Sequence, residues 1–224
     1  MAGFSVGTLT PLELPGAAIF DMDAVAGLPP PLGVEVDRAA AITDARISRH
    51  YLARRAAIRQ IASAVTGVPP HKVSIRRADD GLLYFEPALG SLSVSASTRG
   101  GLCAIGMANS PVGIDLEVMG QLGEIPWNVL HGDEQAELTS TAPEHLERAF
   151  LRLWTAKEAH LKAQGVGLAR EPSSFIVRGF SDVESWRMAV DDPDGPADGL
   201  EITCREARLS GRNVVACLVV LKPV

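Results

Sequence analysis

Apolar residues recur at helical spacing over one early segment. Ile47, Tyr51, Ala57, Ile58, Ile61, Ala62 and Val65 lie along a helix that Thr43 and Asp44 can cap and that Gly67, Pro69 and Pro70 end. Before it, the proline-rich stretch from Gly27 to Gly33 reads as a surface loop. After it come short β-like runs at Lys72 to Arg77, Leu82 to Glu86, Leu92 to Ser95, Leu102 to Ala108 and Pro111 to Glu117, several divided by Gly or Asn. The second half repeats the order: helical patterns near Asp133 to Thr139 and Pro143 to Ala163, then strands near Phe175 to Val177, Trp186 to Val190, Leu200 to Glu206 and Asn213 to Val220. Each half thus predicts a strand, helical material and an antiparallel meander, with no repeat at the level of residues. The Asp, Pro and Gly of Asp191 to Gly199 predict a mobile surface turn without chemistry of its own.

A length of 224 residues suits one large domain or two small ones sharing an interface. No apolar run approaches the roughly 18 residues that would span a bilayer. Met1 to Thr10 has neither a basic start nor a long apolar stretch, so no membrane association and a cytoplasmic location are expected. Cys103, Cys204 and Cys217 sit among apolar neighbours without metal-ligand spacing and read as reduced core thiols rather than a zinc site. The net charge of −6 argues against a nucleic-acid partner. Yet Arg46, Arg49, Arg54, Arg55 and Arg59, with His50, crowd one segment, while carboxylates dominate Glu124 to Glu147. The basic stretch is either a solvated helix face or a surface for an anionic small ligand or an acidic protein.

Two runs carry candidate chemistry. In a strand Pro111-Val112-Gly113-Ile114-Asp115-Leu116-Glu117, Asp115 and Glu117 share one face while Ile114, Leu116 and Val118 point into the core. Two carboxylates so close repel unless a cation lies between them, and magnesium, which takes one or two carboxylates and completes its shell with water and phosphates, suits the pair. An Asp and a Glu on the wet side of a strand would look the same. In the run from Phe150 to Lys162, Phe150, Leu153, Trp154 and Leu161 form an apolar stripe, and Glu158 stands four residues after Trp154 and four before Lys162. That puts Glu158 at the margin of buried surface, where a carboxylate can complete a metal site or act as a base. An ordinary surface Glu–Lys pair has the same spacing. His160 is expected to be exposed rather than catalytic.

Together the runs Gly113-Ile114-Asp115-Leu116-Glu117 and Trp154-Thr155-Ala156-Lys157-Glu158-Ala159-His160-Leu161-Lys162 resemble the signature of the 4'-phosphopantetheinyl transferase superfamily. Gln164 to Leu168 and Ser174-Phe175 resemble it too, and Arg55-Ala56-Ala57-Ile58-Arg59 is similar to the family's first-half helix. The length matches the surfactin-synthetase-activating (Sfp) type. The resemblance implies an α+β fold of two similar halves related by pseudo-twofold symmetry, 1–109 and 110–224, with the active site between them. It implies transfer of phosphopantetheine from coenzyme A to a serine of an apo acyl or peptidyl carrier protein, releasing adenosine 3',5'-bisphosphate, by a monomer. Asp115, Glu117 and Glu158 would hold Mg2+, with Glu158 also the base. Lys162 would stabilise the leaving phosphate and contact coenzyme A, with Lys157 a second catalytic cation. Arg49, Arg55, Ser95, Ser97 and Arg99 complete the expected coenzyme A contacts.

The sequence departs from the family twice. The usual Ser-His-Ser is Ser95-Ala96-Ser97, and the usual Gly-Lys-Pro is Gly81-Leu82-Leu83. Both lost residues belong to the family's cofactor clamp, so arginine is the expected substitute: Arg99 first, then Arg76 and Arg77, whose guanidinium forks fit phosphate oxygens. The same departures leave open a weakened homologue that binds coenzyme A or a carrier without turnover.

Overall fold

The computed structural model describes residues 3–9, 12–79, 81–179, 185–195 and 200–222. Its elements run β1 (Gly3–Val6), β2 (Gly16–Asp21), α1 (Gly33–Ala40), α2 (Ala45–Thr66), β3 (Ile75–Arg77), β4 (Leu83–Phe85), β5 (Ser93–Arg99), β6 (Leu102–Ala108), β7 (Val112–Val118), α3 (Gly132–Thr139), α4 (Pro143–Gln164), β8 (Ile176–Arg178), β9 (Ser185–Asp191), β10 (Leu200–Leu209) and β11 (Arg212–Val220). The fold is α+β. No helix among the described residues is long and apolar enough to cross a membrane.

The first sheet has the order β1-β2-β6-β5-β4-β3 and the second β7-β11-β10-β9-β8. Apart from β1, the two share one plan: a strand, a long helix, then four strands whose last returns beside the first. The expected strand–helix–meander order therefore holds in both halves. The sequence pattern missed β1, β2 and α1. In β2, Ala17, Ala18, Ile19 and Phe20 are all buried, so the strand has no wet face and shows no alternation.

Strand periodicity sorts the core into layers. One face of the first sheet, with Phe20, Val94, Cys103, Ile105 and Met107, packs on Ala57, Ile58, Ile61 and Ala62 of α2. Its other face meets the second sheet through Ala17, Ile19, Leu102, Ala104, Ile114, Leu116, Val214, Ala216 and Leu218. The far face of the second sheet, with Cys204, Val215, Cys217 and Val219, packs on Leu153, Ala156, Ala159 and Ala163 of α4. All three cysteines are buried free thiols, as expected, and burial pushes the Cys103 thiol up to about 12.

Helix ends follow local rules. Asp44 caps α2 by accepting from the amides of Arg46 and Ile47, and Gly67 ends it in the left-handed conformation, where a side chain would be strained. In α1, Glu35 accepts from the Leu32 amide and pairs with the buried Arg59 of α2 at 3.1 Å. Arg59 also donates to the Pro30 carbonyl, so it serves to tie the proline-rich loop to α2.

One contact sets the position of the site. A Cβ built on Gly113 of β7 would overlap the Ala159 carbonyl oxygen and the Ala163 amide nitrogen of α4. Only glycine lets the strand and the helix backbone come so near. Gly113→Ala should lower stability by about 3 kcal/mol or more, because both neighbours are backbone and neither can step aside. Gly123→Ala, with nothing within 4 Å of the added methyl, should leave it nearly unchanged. Urea unfolding of the two variants checks this, and a Gly113→Ala protein as stable as wild type would disprove the close approach.

Candidate functional site

β7 is the edge strand of the second sheet and lies against β5 of the first. Asp115 and Glu117 share a face with Cys217 and Val215 of β11, and that face is covered by α4. The shared face matches the expectation from strand alternation, but it is not wet: Asp115 is 4% exposed and Glu117 8%. Ile114 and Leu116, on the opposite face, are buried between the sheets. With Ala159 and Ala163 seated over Gly113, the adjacent i, i+4 stripe of α4 brings Glu158 and Lys162 to Asp115.

Polar contacts bind this cluster together. Lys162 Nζ lies 2.6 Å from Asp115 Oδ1, and the Ser97 hydroxyl donates to the same oxygen at 2.8 Å. Ser95 Oγ accepts from the Ile114 amide at 3.2 Å. Both serines, expected at the ligand, thus hold β7 in place. Arg99 Nε pairs with Glu117 Oε2 at 2.8 Å, and the Trp154 side chain also bonds Glu117. Asp115 Oδ2 and Glu158 Oε1 are buried and have no hydrogen-bond partner.

Charge is concentrated here. Burial, and then the charge of Asp115, raises the Glu158 carboxyl above its ordinary value, and the same two causes raise Glu117. The donor set is oxygen only and includes two buried oxygens without a partner, which fits a hard divalent cation. As arranged here, with Lys162 and Arg99 supplying the counter-charge, no group of three or more His, Cys, Asp or Glu among the described residues stands close enough to hold a metal.

From the Thr98–Gly101 turn an open groove of about 1470 Å³ runs between α1, α2 and β3. Arg38, Arg54, Arg55, Arg76, Arg77 and Arg99 line it against only three carboxylates, Glu35, Asp37 and Asp79. Arg55 is 7% exposed, and its Nε and Nη1 are buried without a hydrogen-bond partner. A guanidinium so placed calls for an anion, since an unpaired buried charge is costly. Arg54 is also partly withdrawn from water, and burial lowers its pKa. Arg49 is exposed on α2 and does not line the groove.

Three expectations need correction. Lys157 is fully buried on another side of α4, paired with Glu134 at 2.9 Å and donating to the carbonyls of Pro172 and Phe175. Its ammonium ties α3 and β8 to α4 and does not reach the carboxylate cluster. His160 is 0% exposed, because it lies under Phe175 and bonds Asp192 at 2.7 Å. The turn after β9 is not loose at its start: Asp192 is gripped by His160, Gln164 and Arg170, whose bonds outweigh burial and hold its carboxyl well below the usual range. The rest of that segment, 196–199, lies outside the described residues. Sequence reasoning also missed Tyr51 and Arg54 in the groove and the bond from Trp154 to Glu117. Arg54 stood within the basic segment, whereas Trp154 gave no signal beyond its apolar stripe.

Residues 111–208 match the model of the 4'-phosphopantetheinyl transferase superfamily, so the resemblance read from the two motifs stands. The chain is 29% identical over 140 residues to a 4'-phosphopantetheinyl transferase of Bacillus subtilis, covering 62% of this chain and 60% of that one. It is 30% identical over 121 residues to the 4'-phosphopantetheinyl transferase gsp of Aneurinibacillus migulanus, covering 54% and 50%. It is 31% identical over 137 residues to the 4'-phosphopantetheinyl transferase HetI of Nostoc sp., covering 54% of each. The chain thus spans between half and three fifths of the length of these relatives.

The raised Glu158 carboxyl has a measurable consequence. A carboxyl whose native pKa exceeds its unfolded one stabilises the fold while protonated and loses that contribution as pH rises through the native pKa. Glu158→Gln should therefore be more stable than wild type at about pH 8, with the gap closing as pH falls toward the unfolded value of 4.5. Urea titrations across that range measure the gap, and a gap that widens toward acid would contradict the assignment.

Proposed function

We propose that this protein transfers the 4'-phosphopantetheine group of coenzyme A to a serine of an apo acyl or peptidyl carrier protein. The observation that carries the reading is the cluster Asp115, Glu117, Glu158 and Lys162, which opens through Arg99 onto an arginine-lined groove. A substrate with a pyrophosphate and a ribose phosphate needs cationic contacts beside the reacting phosphorus and again at a distance. Lys162 and Arg99 serve the first, Arg54 and Arg55 the second.

In the reaction the carrier serine oxygen bonds to the phosphorus that bears the pantetheine. The bond from that phosphorus to the bridging oxygen breaks, and adenosine 3',5'-bisphosphate leaves. Glu158 takes the hydroxyl proton, directly or through a water. Lys162 balances charge that develops on the leaving phosphate. Asp115, Glu117 and Glu158 would hold Mg2+, whose role in this chemistry is to neutralise the pyrophosphate. The groove's arginines position the nucleotide so that attack is in line. Exposed Val34 and Ile47 beside Arg38 at the groove rim suit an acidic carrier with an apolar contact face. The buried free thiols suit a reducing cytoplasm, where we place the protein as a monomer. The weakened-homologue alternative rests only on Ala96 and Leu82.

Transfer of label from thiol-labelled coenzyme A to a panel of apo carriers tests the reading. Glu158→Gln and Asp115→Ala should each lower kcat by about 100-fold or more while the fold persists. Wild-type turnover in either variant at saturating Mg2+ excludes this site. Arg55→Ala should weaken coenzyme A binding by about ten- to a hundredfold in calorimetry, as expected for a lost charge-assisted contact. An unchanged Kd would remove Arg55 from the ligand.

A further inference from the structure

Each strand carboxylate of the cluster has its own cation, and the two cations differ in standing. Lys162, 27% exposed, rises from the same helix as Glu158 and holds Asp115 together with Ser97. Arg99, 57% exposed, comes from the other sheet and belongs at once to the cluster, through Glu117, and to the lining of the basic groove.

The backbone under Arg99 is fixed from several sides. Met22 donates its amide to the Gly101 carbonyl at 3.0 Å, and Arg212 of β11 donates to the Gly100 carbonyl and pairs with Asp21. Asp23, held by Arg46 at 3.1 Å and His50 at 2.8 Å, flanks the same turn, with Arg46 and His50 packed against Gly101. Any movement of Arg99 is therefore movement of its side chain. Glu117 is buried but the guanidinium of Arg99 is 57% exposed, so Arg99 can turn from the carboxylate toward the groove without crossing the core, and a guanidinium facing phosphate oxygens gains charge-assisted bonds in exchange.

We propose that Arg99 is an exchangeable counter-ion. It neutralises Glu117 while the groove is empty, passes to a phosphate when an anionic ligand enters, and so makes Glu117 more available to a divalent cation once that ligand has bound. This rests on the reading above for the identity of the anion, coenzyme A. Cation and anion binding are then coupled through one side chain, and each strengthens the other by the same factor. Ala96 cannot do this: it pairs with Ile105 on the face toward α2, opposite Ser95, Ser97 and the cluster.

Calorimetry with Mg2+ alone as the probe tests the exchange. With the competing guanidinium gone, Arg99→Ala should bind Mg2+ without coenzyme A about five- to tenfold more tightly than wild type. Added coenzyme A, with no carrier present, should then strengthen Mg2+ binding less in the variant than in wild type. Arg178→Ala removes an equally exposed arginine whose partner, Asp133, lies outside the cluster, and should leave Mg2+ affinity unchanged. Equal or weaker Mg2+ binding by Arg99→Ala, no detectable binding by either protein, or an equal gain in Arg178→Ala would each overturn the proposal. Label transfer is scored separately. If wild type transfers no label yet Arg99→Ala tightens Mg2+ binding, the reaction assigned above fails and the exchange stands. If label is transferred and Mg2+ affinity does not respond to Arg99, the exchange fails and the reaction stands.

Discussion

The approach of α4 to β7 is the constraint on which the remainder of the site depends. Two backbones meet at Gly113 with room only for a hydrogen atom between them. That contact fixes the rotation of the helix as well as its distance. Once Ala159 and Ala163 rest on the glycine, the neighbouring stripe of the helix must stand over the next inward-facing strand residue, which is Asp115. The glycine, the aspartate, the glutamate and the lysine are separated in sequence but belong to one packing solution.

The helix also sorts charge by angle. Glu158 and Lys162 face the carboxylates of β7, while Lys157 and His160, close by in the chain, point to other sides and are consumed by Glu134 and Asp192. Those two buried pairs do ordinary architectural work. Glu134 also accepts the amides of Val177 and His131, and Lys157 satisfies two carbonyls, so breaking either partner would strand a charge in the core. The face toward β7 is different in kind. Its carboxylates repel one another, two of their oxygens are unsatisfied, and the cations beside them are partly in water. Energy that could have stabilised the fold is left unspent at this cluster.

Much of this was legible in the sequence. Period-2 alternation correctly put Asp115 and Glu117 on one face, and helical spacing correctly brought Glu158 and Lys162 together. What could not be read were contacts between segments distant in the chain. The burial of His160 depends on Asp192 and Phe175, and the hydroxyls of Ser95 and Ser97 are taken by a strand from the other sheet. β2 escaped notice because burial on both faces erases the period that marks a strand. Lys157 misled because a motif names residues without saying which way they turn.

The serine row on β5 has an effect beyond the site. β7 ends its sheet, so its outer side carries amides and carbonyls that another extended chain could join. Ser95 takes the Ile114 amide, and Ser97 draws Asp115 across the same border. A foreign strand would have to break a hydroxyl bond and lie beside a buried carboxylate to attach there. Crowded or overproduced chains therefore meet a closed border along this edge of the second sheet, where it could otherwise grow into a fibre.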